Sequence, residues 1–301
     1  MASFTGLSKA LRLAVAIATA PLRPPIQKGI DVSQHAHRLC FLLLLALAAP
    51  GVQARADSAA AISFAEQPVR LLRATSFYVA TRGVRLQDGD IIETGAGSIQ
   101  VDGAGASTLA VGPASRVYFK LGAGGLALTL LDGWLKIQPG AVAAAGATPI
   151  SAGALQFNAA GNAVIVHVEA DKTELFVESG EAGVVEKVGN KALAPLKVGR
   201  EQFAVRSAKL PLKVLPRASK DFLSGMPPAF FDKLIPVAAK GPVPAPKLDK
   251  AALFSDVAPW LSADSALYQQ LDRRFNPPKA VPAVATPAAA PPPPRPETHL
   301  Y

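Results

Sequence analysis

Downstream of residue 56 the sequence has no cysteine, since its one thiol is Cys40, and it keeps only two of its four histidines, His167 and His299. The first absence excludes disulfides, thiolate metal sites and cysteine nucleophiles from that part of the chain. The second removes most general-base and zinc chemistry, which needs imidazole or clustered carboxylates around one point. No run of about 18 or more apolar residues follows residue 56, so no stable transmembrane helix is expected there. A Lys/Arg stripe interleaved with aromatics is also missing, and nucleic acid is not expected as a partner. The formal charge of +9 belongs to the whole chain: of its 31 basic and 22 acidic side chains, six and one fall in residues 1–56, leaving 25, 21 and a net charge of +4.

What is present starts with a leader. Arg38 precedes an apolar run over 39–49, too short for the roughly 20 residues that cross a bilayer. Pro50-Gly51 breaks the run, and Val52-Gln53-Ala54 or Ala54-Arg55-Ala56 supplies the small-x-small pattern that a signal peptidase reads. Residues 1–56 therefore read as a leader with a signal peptide, and a periplasmic or secreted chain starting at Arg55 or Asp57 is expected, with Val32 as an alternative initiator. Cys40 opens the apolar run instead of following it, so no lipid-anchored cysteine is expected.

Residues 57–215 read as one β domain. From Ala74 to Ala208, short runs of Val, Ile, Leu and Phe alternate with polar residues and are broken by turns such as Asp88-Gly89, Asp102-Gly103 and Asp132-Gly133. Val117, Phe119 and Leu121 alternate with Arg116, Tyr118 and Lys120; Leu126, Leu128 and Leu130, then Leu135 and Ile137, follow in the same period. The expectation is a mainly β fold of about 10 to 13 short antiparallel or solenoid-like strands, as a roll, sandwich or short β-helix. Residues 216–275 read as short helices with a Pro-rich connector at 240–250 and a stripe of Val257, Trp260, Leu267, Leu271 and Phe275 on one helix, whose simplest use is docking onto the β domain. Residues 276–301, dominated by Pro and Ala, read as a disordered tail.

The β domain resembles the FecR-type periplasmic domain. The resemblance is carried by Arg82 to Ser98 with its Asp88-Gly89-Asp90 and Thr94-Gly95, by Leu109 to Val117 with Pro113-Ala114-Ser115, and by Leu131-Asp132-Gly133-Trp134-Leu135-Lys136-Ile137. Leu175 to Gly180 and Leu196 to Gln202 continue it, and Met226 to Phe230, Asp256 to Leu261 and Arg273 to Pro277 are similar to segments that accompany exported members. It implies a β fold and an envelope location. The sensing members pair this domain with a membrane helix and a cytoplasmic anti-sigma segment, and residues 1–37 are too short and basic for that segment.

Catalysis is not expected, and neither is a cofactor or metal. His167, in Val164-Ile165-Val166-His167-Val168, points away from the valines and reads as a strand histidine. Gly95-Ala96-Gly97 and Gly103-Ala104-Gly105 lack the third glycine and the helix of a phosphate loop. Glu93, Asp102, Asp132, Glu169, Asp171 and Glu174 are too evenly spread to select a catalytic pair. The candidate binding patch is Arg116, Tyr118, Lys120, Trp134 and Lys136: exposed aromatics beside cations, suited to sugars or an acidic protein surface. The function expected is a non-enzymatic interaction or sensing module with an envelope or outer-membrane protein as partner. A carbohydrate (peptidoglycan)-binding module and a regulator of a sigma-factor pathway are the alternatives.

Overall fold

The computed structural model describes residues 60–104, 107–122, 125–140, 148–189, 191–237, 242–261 and 264–277. Residues 1–56, expected to be a leader, and nearly all of the Pro/Ala-rich 276–301, His299 included, lie outside them.

Eighteen strands form among these residues. They are β1 (Ala61–Ala65), β2 (Val69–Arg73), β3 (Ser76–Ala80), β4 (Ile91–Glu93), β5 (Ile99–Ala104), β6 (Ser107–Val111), β7 (Arg116–Gly122), β8 (Gly125–Pro139) and β9 (Pro149–Ala152). There follow β10 (Leu155–Asn158), β11 (Ala163–Glu169), β12 (Lys172–Ser179), β13 (Glu181–Val188), β14 (Lys191–Ala192), β15 (Leu196–Gly199), β16 (Phe203–Ser207), β17 (Leu210–Leu215) and β18 (Lys247–Ala251). Three α-helices of the described residues follow β17: α1 (Lys220–Gly225), α2 (Phe254–Val257) and α3 (Ser265–Phe275).

The strands make two leaves that share β8. Its second half pairs with β6 and β11 in a leaf ordered β1-β5-β6-β8-β11-β12-β16-β17. Its first half pairs with β7 in the other leaf, ordered β18-β3-β2-β4-β7-β8-β9-β10-β13-β15, with β14 on the far end of β13. Every pairing is antiparallel except β8 with β9. That pattern selects a sandwich, not closed into a barrel, and excludes a β-helix, whose coils stack in parallel.

Period-two alternation fills the space between the leaves. Ile99, Val101, Leu109, Val111, Leu135, Ile137, Val164, Val166, Leu175 and Val177 from one leaf meet Leu71, Ile92, Val117, Phe119, Leu128, Leu130, Leu155 and Val184 from the other in a single core. At roughly 1.5–3 kcal/mol per fully buried aliphatic or Phe side chain, this core is the main stabilising term and it fixes the register, because a one-residue slip would turn the whole set outward.

Both outer faces are covered by the chain's own C-terminal segments. On the first leaf, Ala110, Trp134, Ile165 and Phe203 pack under Phe222, Met226, Phe230 and Leu234. Ser219 starts α1 there by accepting a hydrogen bond from the Phe222 amide at 3.1 Å. On the second leaf, Leu72, Phe77, Ile91 and Tyr118 pack under Val257, Leu261, Leu267 and Leu271. The apolar stripe thus docks back onto the β domain.

Several sequence expectations need correction. The stripe is not one helix: Asp264 caps a new one by accepting from the Ala266 and Leu267 amides at 3.1 and 3.0 Å. The connector at 240–250 is not all connector, since Lys247–Ala251 pairs with β3. Fourteen strands, β3 to β16, occupy the stretch expected to hold 10 to 13. Asp132-Gly133 is no hairpin but the bend inside the 15-residue β8, and Asp102-Gly103 lies within β5 at a register shift.

Candidate functional site

Three of the motifs that carry the FecR resemblance, Thr94-Gly95, Pro113-Ala114-Ser115 and Gly133-Trp134, converge on the point where β8 passes between leaves. Thr94 Oγ1 donates to the Gly112 carbonyl at 2.6 Å and accepts from the Ser115 amide at 2.8 Å. The Ala114 amide reaches the Gly95 carbonyl at 2.7 Å, and Ser115 Oγ accepts from the Trp134 amide at 2.7 Å. Gly133, at φ +82°, turns the strand there, and a Cβ on it would lie 2.7 Å from the Ser115 Cα. Nearby, buried Asp90 holds Arg73 through Nε at 3.0 Å and a terminal nitrogen at 2.7 Å, while Arg274 of α3 donates to the Gly89 carbonyl at 3.0 Å. Thr-Gly, Pro-x-Ser and Gly-Trp are therefore the parts of one backbone joint whose polar atoms occupy one another, while the Gly-Asp pair beside it is held by Arg73 and Arg274.

The five patch residues do not share a surface. Arg116, Tyr118 and Lys120 are on the outer face of the second leaf, whereas Trp134 and Lys136 lie beyond the Gly133 bend on the outer face of the first. Tyr118 is buried under α3, its hydroxyl accepting from Gln270 Nε2 at 2.8 Å. Trp134 is buried under Phe222, and Lys136 is 1% exposed. Of the five, only Lys120 is exposed and Arg116 partly so. The alternation did place these side chains opposite the core, but outward meant covered, because the C-terminal segments return to both faces.

What surrounds them is a pair of polar arrays. Across adjacent strands of the second leaf, Arg70, Glu93, Arg116 and Asp132 form a ladder of alternating charge, with contacts of 2.9, 2.9 and 3.1 Å. Cross-strand register puts opposite charges face to face there, and Arg116, held on both sides, lies 5.2 Å from the ring centre of half-buried Trp260. Sequence reading assigned Trp260 to an apolar stripe and missed the ladder, since no local signal pairs β2, β4, β7 and β8.

On the first leaf, His167 sits opposite Trp134 and Glu174 sits opposite His167. The His167 and Trp134 rings stack at 3.9 Å, and His167 Nδ1 is 3.0 Å from Glu174 Oε2. Glu174 Oε1 lies 2.6 Å from Lys172 Nζ, a close ion contact at an angle short of a hydrogen bond. Burial pushes the Glu174 carboxyl up, but His167 and Lys172 together outweigh it and hold it below its ordinary 4.5. A lowered folded-state pKa means that ionised Glu174 stabilises the fold above its ordinary value, a contribution lost as pH falls through the lowered one. Urea midpoints of the wild type and Glu174→Gln are therefore expected to differ at neutral pH and to converge in acid. A gap of constant size down to strongly acid pH would assign the loss to packing instead.

Among the described residues no helix is long and apolar enough to cross a membrane. No family model matches the sequence, and no curated protein matches it. Two crystal structures of a protein provisionally assigned as an anti-sigma factor from Parabacteroides distasonis are similar to part of the chain. One has a TM-score of 0.37 and 8% identity over 45% of this chain and 64% of that one. The other has a TM-score of 0.37 and 7% identity over 44% and 63%. The chain thus spans less than two thirds of the length of either.

Proposed function

We propose that the protein is a non-enzymatic interaction module of the bacterial cell envelope, built on a FecR-like β domain and exported through its 39–49 signal. One observation carries the non-enzymatic part: His167, the histidine of the β domain, is engaged by the Trp134 ring on one side and the buried Glu174 carboxylate on the other. That geometry uses Nδ1 and one face of the imidazole to hold the ring in place within the fold. The convergence of the motif residues on a backbone joint supports the same reading, because it gives them a folding role. The envelope location rests on the leader, and an envelope protein is the partner proposed.

Affinity capture of the mature chain from its own cell envelope, followed by mass spectrometry, tests this reading. One or a few envelope proteins are expected, recovered equally by His167→Gln. Recovery of insoluble peptidoglycan alone would favour the carbohydrate-binding alternative, and the intact precursor in the cytosol would overturn the reading.

A further inference from the structure

The second leaf ends in β18, whose one pairing among the described strands is with β3. All five of its residues are exposed, and among the described residues no hydrogen bond reaches its backbone from the side away from β3. The edges of the first leaf are engaged: β1 bonds to Gly83 and Val84, and the Leu212 amide of β17 is taken by Glu186 at 2.9 Å.

A bulge decides which side chains the β18 edge presents. Lys247 lies opposite Val79 and Lys250 opposite Phe77, with Asp249 as the extra residue between Leu248 and Lys250. Val79 and Phe77 alternate on β3 and share its outer face with Arg70, which lies opposite Val79 on β2. Both lysines therefore stand on that outer face. The contacts agree, since Arg70 and Lys250 lie 5.3 and 5.8 Å from the Phe77 ring centre. Leu248, 60% exposed, faces the other way with Tyr78, which packs against the main core. Arg70 is balanced by Glu93 in the ladder, whereas Lys247 and Lys250 have no ion pair among the described residues. Asp249 is the only acid between Asp232 and Asp256, against four lysines.

We infer that β18 accepts an added strand: an extended segment of the envelope partner with acidic side chains on one face and apolar ones on the other. This assignment rests on the interaction role proposed above and names the chemistry of the partner. Main-chain bonds pair the open edge, the acids face Lys247 and Lys250, and an apolar residue beside Leu248 extends the core by one strand. Two occupants from the chain itself fit worse. A second β18 sets lysines near lysines, and residues 278–301 carry repeated prolines and a single acid, Glu297.

The test titrates the full chain with a synthetic peptide of about six residues alternating Glu and Val, and with a Lys/Val peptide of the same length. Amide hydrogen exchange locates binding, and fluorescence anisotropy of the labelled peptide measures it. The acidic peptide is expected to protect 247–251 and to bind less as salt rises. Lys247→Glu/Lys250→Glu is expected to weaken it roughly tenfold, because two cross-strand attractions become repulsions. Lys247→Gln/Lys250→Gln should lose less, with the circular dichroism of both variants unchanged. No binding, protection elsewhere, equal binding of the Lys/Val peptide, or wild-type affinity in the charge-reversed variant would overturn the inference. Protection of 247–251 by dimers that form without peptide would overturn it in favour of self-association. Affinity capture separates the two readings: an envelope protein recovered equally by the charge-reversed variant sinks the added strand alone, whereas no envelope protein with either chain sinks the interaction role.

Discussion

Gly133→Ala is expected to destabilise the β domain by about 4 kcal/mol. Three costs combine. A non-glycine residue at φ +82° pays roughly 1–2 kcal/mol for the left-handed conformation. The new Cβ would stand 2.7 Å from the Ser115 Cα, a backbone atom that moves only with the Pro113-Ala114-Ser115 turn, and overpacking of this kind costs about 1–3 kcal/mol. Moving that turn lengthens the 2.7 Å bond from the Trp134 amide to Ser115 Oγ, a further 0.5–1.5 kcal/mol or so. Gly161→Ala is the control: φ is +72° there, but nothing lies within 4 Å of its Cβ, so only the backbone cost applies. Urea unfolding of the two variants, followed by the fluorescence of Trp134 and Trp260, compares them directly. Equal losses would mean that the joint at β8 is not the tight point described.

Lys136→Met comes second, at about 3 kcal/mol, and its effect should be local. The ammonium group donates to the Phe230 carbonyl at 2.7 Å, to the Asp232 carbonyl at 2.9 Å and to Glu178 at 2.9 Å. Replacing a buried ion pair by apolar residues is often neutral when both partners change, but two of these acceptors are backbone carbonyls, which no substitution removes. The Phe230 carbonyl stays buried without a donor at a cost of about 1–3 kcal/mol, whereas the carbonyl of exposed Asp232 and the partly exposed Glu178 regain water. The covering segment is expected to loosen, because its remaining polar ties to the sandwich lie at its far end: Gln138 with the Leu234 amide and carbonyl, Gln100 with the Ile235 carbonyl and Asp102 with the Val237 amide. Hydrogen exchange should therefore rise at 226–237 and stay unchanged in β11 and β12. Uniform loss of protection would show that the segment and the sandwich unfold as one unit.

The sequence determined the strand content and most of the core, because period two is local: Val164, Val166 and Val168 can only share a face. It also located the joint, since Asp132-Gly133 marks a positive-φ position, although it could not tell a bend from a hairpin. The candidate patch failed for a related reason. Alternation says which side chains leave the core, but not which leaf they leave from or what covers them.

By itself, then, the sequence specified a two-faced β body without thiols, with its turn glycines and its docking stripe. Tertiary structure decided that β8 serves both leaves, that residues 218–234 and 252–271 cover the outer faces, and that His167, Lys136 and Tyr118 are occupied inside the fold. The reason is separation along the chain: Lys136 meets Phe230 across 94 residues and Tyr118 meets Gln270 across 152, distances at which no local propensity acts and only the packed faces bring the partners together.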